Sequence, residues 1–160
     1  MSHAEGLYSV EQVRAFDAHA ISAQGIAGIT LMTRAGEAAL GVLRAQWPAV
    51  RRIAIACGGG NNGGDGYVLG ERARAAGLDA IVLALADPAQ PHGDARRAAD
   101  RYRAAGGRLQ PFATSALAGA ELIVDALLGT GLSEPPRPKK SSGGELSSGS
   151  SSGQARWRRS

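Results

Sequence analysis

Apolar positions along the chain change period several times, and each change marks an element. Val10, Val13, Phe16, Ala20 and Ile21 recur at three- and four-residue spacing and share one face of a helix. Ser9 with Gln12 forms a capping box that starts it. Leu31, Ala35, Ala38, Ala39 and Val42 repeat the pattern, predicting a second helix from about Thr30 to Ala45 with those residues inward, ending before Pro48. RRIAIAC (51–57) is short and apolar throughout its second half, as a buried strand is. GYVLGERARAAG (66–77) reads as a helix closed by Gly77.

The alternation continues. DAIVLALA (79–86) is a strand, HGDARRAADRYRAAGG (92–107) a helix with a charged outer face, and RLQPF (108–112) a weak strand. TSALAGA (114–120) is a short helix and ELIVDALLG (121–129) another buried strand. Apolar strands alternating with helices imply parallel strands covered on both faces. The fold class is therefore α/β: a Rossmann-like three-layer α/β/α sandwich with a mostly parallel sheet, two leading helices, and an incomplete C-terminal side.

The tail changes the picture. SSGGELSSGSSSG (141–153) holds seven serines and four glycines in 13 positions, a composition that buries no core and reads as flexible. It follows PPRPKK and precedes QARWRRS, where Trp157 among arginines is expected to be exposed. Charge divides at the same place. Residues 1–135 carry 12 arginines, no lysine and 13 acids, whereas residues 136–160 carry six basic residues and one acid. The overall +4 thus belongs to the tail, and nucleic acid is not an expected partner. A single cysteine, Cys57, excludes an intrachain disulfide and fits a reducing compartment. The start, MSHAEGLYSVEQ, has no signal-peptide pattern, and no apolar run could span a bilayer. A cytoplasmic protein with no membrane contact is expected.

The candidate chemistry lies in ACGGGNNGGDGY (56–67), where six glycines, two asparagines and one aspartate fill positions 58–66. A loop between a buried strand and a helix sits at the carboxyl end of a parallel sheet, where such folds bind ligands. Glycine there allows close approach of the backbone and positive φ, and the helix N-terminus favours an anion. The Gly-Lys-Ser/Thr ending of a P-loop is missing. GGGNNG does match G-x-G-x-x-G, which keeps an NAD-dependent Rossmann oxidoreductase open as a reading. That reading wants an acid on the next strand; Asp79 has the spacing but the wrong end, and Asp87 the right end but a longer spacing.

Asn61, Asn62 and Asp65 suit oxygen donation to a hard cation, or hydrogen bonds to a ribose or carboxamide. The plainer alternative gives the asparagines left-handed turn positions and makes Asp65 a helix cap. Asp125 lies within an apolar strand, where an unpaired buried carboxylate is costly and needs a cation, donors or a proton. GTGLSEP (129–135) is a second glycine-bearing loop on the same side of the sheet, so the two strand ends read as one site. Cys57 reads as a small buried residue. His3, His19 and His92 lack metal-ligand spacing, and Arg96, Arg97, Arg101 and Arg103 read as a solvated helix face.

LYSVEQVRAFDAHAI, GITLMTRAGEAA, ACGGGNNGGDGYVLGERARAAG and IVDALLGTGLSEPPRP together resemble the NAD(P)H-hydrate epimerase family, also called the YjeF N-terminal domain. The likeness runs from about Leu7 to Pro138, giving a partial domain at 1–138 and a flexible basic tail at 139–160. The resemblance implies a Rossmann-like isomerase of cofactor repair that interconverts the R and S epimers of hydrated NADH and NADPH. It implies substrate contacts at Asn61, Asn62, Gly63, Gly64 and Asp65, and at Gly129, Thr130, Gly131, Leu132, Ser133, Glu134 and Pro135. It implies a potassium ion on Asn62 and Asp125, an ADP- or ATP-dependent NAD(P)H-hydrate dehydratase as fused or separate partner, and a homodimer through the leading helices.

The family's Val-Asp-x-Pro-Ser-Gly block, whose aspartate is the expected acid/base group, does not occur in this chain, so the catalytic residue is unknown. The change of composition at Pro138 reads as a truncation or a reading-frame change. Translating the other frames of the coding DNA checks this; absence of an Asp-x-Pro-Ser-Gly block would sink it. The same departure raises a non-catalytic dinucleotide-binding remnant as an alternative.

Overall fold

A computed structural model of the chain describes residues 7–85 and 92–129. The capping box forms as expected: the Ser9 side chain accepts from the Gln12 N–H, and the Gln12 side chain accepts from the Ser9 N–H. It opens helix α1, Val10–Ser22. Helix α2 spans Gly28–Gln46, strand β1 Arg52–Cys57, helix α3 Asn61–Ala75 and strand β2 Asp79–Ala84. Helix α4 is Gly93–Ala104 and strand β3 is Arg108–Pro111. A 3₁₀ turn at Thr114–Leu117 then leads to strand β4, Leu122–Ala126.

The four strands are all parallel, in the order β3-β2-β1-β4. This is the Rossmann-like α/β architecture. The chain winds outward from β1 to β3, then returns to the other side of β1. Right-handed crossovers put α3 and α4 on one face and the β3–β4 return on the opposite face. Among the described residues that return carries only the 3₁₀ turn, so the third layer is thinner than the helix expected at 114–120.

The core lies between β1, β2 and the helices. Ile53, Ile55, Val82, Leu83, Val68, Tyr67 and Tyr102 are fully buried. Tyr67 and Tyr102 meet as a tilted ring pair 6.0 Å apart, and the Tyr102 hydroxyl donates to the Arg108 carbonyl at 2.8 Å. A polar tip is thereby satisfied inside an apolar layer. Close approach does the rest. A Cβ on Gly36 would lie 2.6 Å from Val68 Cγ1, and one on Gly66 would lie 2.6 Å from Cys57 Sγ. These glycines let α2 rest on α3, and α3 on the sheet.

Those contacts overturn one expectation about faces. The buried residues of α2 are Met32, Gly36 and Leu43; Ala35, Ala38, Ala39 and Val42 are exposed and Leu31 is half-buried. Ile29 and Leu40 pack against the core beside them, so the larger apolar residues face inward, with Gly36 at the point of closest approach. Helix α1 buries no residue, and Val10, Val13, Phe16 and Ile21 face outward. Its aromatic contact is local, Tyr8 edge-on to Phe16 at 5.3 Å. No helix among the described residues is long and apolar enough to cross a membrane. The expected tail at 139–160 lies outside the described residues.

Candidate functional site

The order β3-β2-β1-β4 makes the carboxyl ends of β1 and β4 a switch point, where neighbouring connections leave in opposite directions and open a crevice. Backbone walls this crevice. The Gly58 N–H donates to the Ala126 carbonyl at 3.0 Å, and a Cβ on Gly58 would stand 2.1 Å from the Leu127 oxygen. A Cβ on Gly63 would stand 2.0 Å from the Gly58 oxygen, and one on Gly129 would stand 2.9 Å from Asn62 Cβ. Any side chain at these positions would push the β1 turn, the first turn of α3 and the β4 exit apart.

Helix α3 begins earlier than expected, at Asn61 rather than Gly66, so the Asn-Asn-Gly-Gly-Asp run forms its first turn. Gly60 is the N-cap, with extended backbone, no side-chain cap hydrogen bond and no acid in the first turn. The turn's first N–H groups therefore point into the crevice without a capping side chain. Positive φ is not the reason for the glycines, since none of Gly58 to Gly66 has it. Neither asparagine is left-handed and Asp65 is no cap, which removes the plainer alternative for all three.

The structure divides the expected contacts. Asn62, Gly63 and Gly129 meet at the crevice. Gly64 is buried against Met32 and Ala95. Asn61 and Asp65 turn the other way, into a cleft of about 190 Å³ that they line with Asp17, Met32 and Asp94. Burial first, and the Asp17 carboxylate second, raise the Asp65 carboxyl to about 6. The sequence reading missed Asp17 and Asp94. No local signal marks them, because the fold alone brings α1 and the start of α4 to this cleft. Thr130, Gly131, Leu132, Ser133, Glu134 and Pro135 lie outside the described residues, as does Asp87.

Asp125 corrects a premise. It is exposed, not buried, because it lies with Ile123 on the open face of β4, opposite the Leu122, Val124 and Ala126 face that meets the core, and its carboxylate accepts from the Leu127 N–H at 2.9 Å. The carboxylate is thereby held in the turn that leads from β4 to Gly129. Asp79 starts β2 at the far end of the sheet and pairs with Arg108, so it cannot be a ribose acid for this crevice.

Other candidates resolve simply. Cys57 is buried, and burial pushes its thiol up to about 12. His19 and His92 are exposed. The arginines of α4 are tied to acids: Arg96 to Asp100, Arg97 to Asp94, Arg101 to Glu71 and Arg103 to Asp100. Among the described residues no group of three or more His, Cys, Asp or Glu side chains could hold a metal ion.

A parallel sheet with a glycine-walled crevice at its switch point and an open helix N-terminus defines the Rossmann-like class of fold, and this crevice is where such folds bind ligands. The family described as YjeF-related protein N-terminus matches residues 28–143, and the chain belongs to it. It is 43% identical over 127 residues to a bifunctional NAD(P)H-hydrate repair enzyme of Coxiella burnetii, covering 79% of this chain and 26% of that protein. It is 34% identical over 132 residues to an NAD(P)H-hydrate epimerase of Rhodobacter capsulatus, covering 78% of this chain and 62% of that one. The crystal structure of yeast ynu0 superimposes with a TM-score of 0.70 at 18% identity, over 84% of this chain and 60% of that one. The last likeness shows the fold. The chain spans about a quarter of the length of the bifunctional relative and about three fifths of the epimerase.

Proposed function

We propose that this domain binds hydrated NADH or NADPH in the β1–β4 crevice and interconverts their R and S epimers, an isomerase step in nicotinamide-cofactor repair. The observation that carries the reading is the junction of Gly58, Gly63 and Gly129. It offers bare peptide groups where a pyrophosphate would lie, beside a helix N-terminus that favours an anion. Family membership and the names of similar proteins support the same substrate class.

Asn61 to Asp65 and the loop 129–135 would contact the ligand from two sides. Asn62 and Asp125 supply an amide and a carboxylate oxygen near the two strand ends, the donor chemistry that a hard cation such as potassium takes. When bound, the ion would add a fixed positive charge at the crevice. A dehydratase partner using ADP or ATP, a homodimer and a cytoplasmic location belong to the same reading. A second reading, binding without turnover, is favoured by the missing Val-Asp-x-Pro-Ser-Gly block, since no other residue is identified for the proton transfer.

Titrating the ¹⁵N-labelled chain with hydrated NADPH in potassium buffer tests the site. The amide signals of Gly58, Asn62, Gly63 and Gly129 should move together, and those of β3 should not. Shifts absent from the crevice would overturn the assignment.

A further inference from the structure

Helix α1 meets the rest of the fold across the cleft that it shares with α2, α3 and α4. It sends Asp17 and Ile21, one turn apart, into that cleft and buries no residue there or elsewhere. Opposite them stand Leu31 and Met32 of α2, Asp65 of α3 and Asp94 of α4. Gly25, at φ 65°, closes α1 in a left-handed turn, and the Ile26 N–H donates back to the Ala20 carbonyl at 3.0 Å. The Ala27 carbonyl already accepts from the Thr30 N–H at 2.8 Å, as the N-cap of α2. One helix therefore stops and the next begins at the Ile26–Ala27 link, a single joint between two rigid pieces.

The groups around Asp65 are unevenly charged. Asp17 faces it from α1, and α2 brings no titratable side chain to the cleft. Asp94 of α4 has Arg97 as its partner at 3.2 Å. On α1, Arg14 acts on Glu11, while His19 and the α4 N-cap His92 are exposed. Burial and the Asp17 charge both oppose ionisation of Asp65, and among the described residues no cation offsets them.

We propose that α1 is a pH-gated arm: it rests on α2, α3 and α4 while Asp65 holds a proton, and swings away at the Ile26–Ala27 joint once Asp65 and Asp17 are both charged. With α1 in place the Asp65 carboxyl is raised from 3.8 to about 6. Lifting α1 removes the Asp17 charge and opens the cleft, which returns the carboxyl toward its ordinary range. Docking therefore takes up a proton; it is favoured at low pH and weakens as pH rises through about 6. From pH 5 to pH 7.5 the ratio of docked to lifted arm should fall by up to roughly tenfold. Lifting bares Asn61 and Asp65, on the side of α3 turned from the crevice, and it does not depend on the proposed activity.

Spin labels on Ala18→Cys in α1 and Ala38→Cys in α2, both exposed positions, report the arm in the full chain, since Cys57 is buried. Pulsed electron resonance should give one interlabel distance at pH 5 and a second, growing population at pH 7.5. Asp65→Asn should keep the pH 5 distribution at both values, and Asp17→Asn should shrink the second population. Circular dichroism confirms that the variants fold. A single unchanged distribution at both pH values overturns the proposal. So does a second population that persists in full in Asp65→Asn, because the motion would then owe nothing to this pair.

Discussion

Gly63→Ala separates close approach from flexibility as the reason for glycine at the crevice. Gly63 lies within α3 with no positive φ, so alanine fits its backbone conformation. On helix propensity alone the change should stabilise the protein by about 1 kcal/mol. Its methyl group, however, would be 2.0 Å from the Gly58 oxygen and 2.8 Å from the Gly58 carbonyl carbon, both main-chain atoms. Ordinary contact begins near 3.4 Å, so the turn and the helix must part by more than an ångström. Overpacking of this sort costs about 1–3 kcal/mol, and here backbone rather than a flexible side chain has to yield. A net loss of up to about 2 kcal/mol is expected. Gly41→Ala in α2 is the control: its methyl meets nothing within 4 Å, so it should stabilise by about 1 kcal/mol. Urea unfolding of the parent and both variants measures the difference. If Gly63→Ala proved as stable as Gly41→Ala, steric closure of the crevice would be refuted.

Asp65→Asn should stabilise the chain at pH 7 and leave it unchanged near pH 4. The folded Asp65 carboxyl, raised to about 6, binds a proton that the unfolded chain releases near 3.8, so stability falls as pH rises between those values. Unfolding at both pH values checks this, and Asp17→Asn should give part of the effect. Tyr102→Phe should cost about 1 kcal/mol in the same assay through loss of the hydroxyl bond to the Arg108 carbonyl. Cys57 should stay unreactive to a thiol reagent until the protein unfolds, because burial keeps it protonated.

The sheet was legible because its strands are apolar runs of the right length, and parallel order follows from their alternation with helices. The capping box at Ser9 was legible because it is a local motif. What sequence could not supply was facing. The stripe Leu31, Ala35, Ala38, Ala39, Val42 is mostly alanine, whereas the face that meets the core carries Ile29, Met32, Leu40 and Leu43 around Gly36, which fits against Val68. Asp125 was read as buried because its neighbours are apolar; its exposure depends on its lying on the face of β4 turned away from the core, which only the tertiary packing decides. Of the two reasons the glycine run suggested, close approach is present at Gly58, Gly63 and Gly66 and positive φ is not. Asp17 and Asp94 join Asp65 only across three helices, and no spacing announces that.

The most direct measurement of the proposed function is the conversion of the R epimer of hydrated NADPH to the S epimer, followed by chromatography, with folded protein in potassium buffer. The account predicts conversion above the spontaneous rate, reduced when Asn62→Ala removes an amide from the crevice. A rate no different from the spontaneous one, from protein shown to be folded, would contradict the epimerase reading; a parallel titration without binding would contradict the site as well.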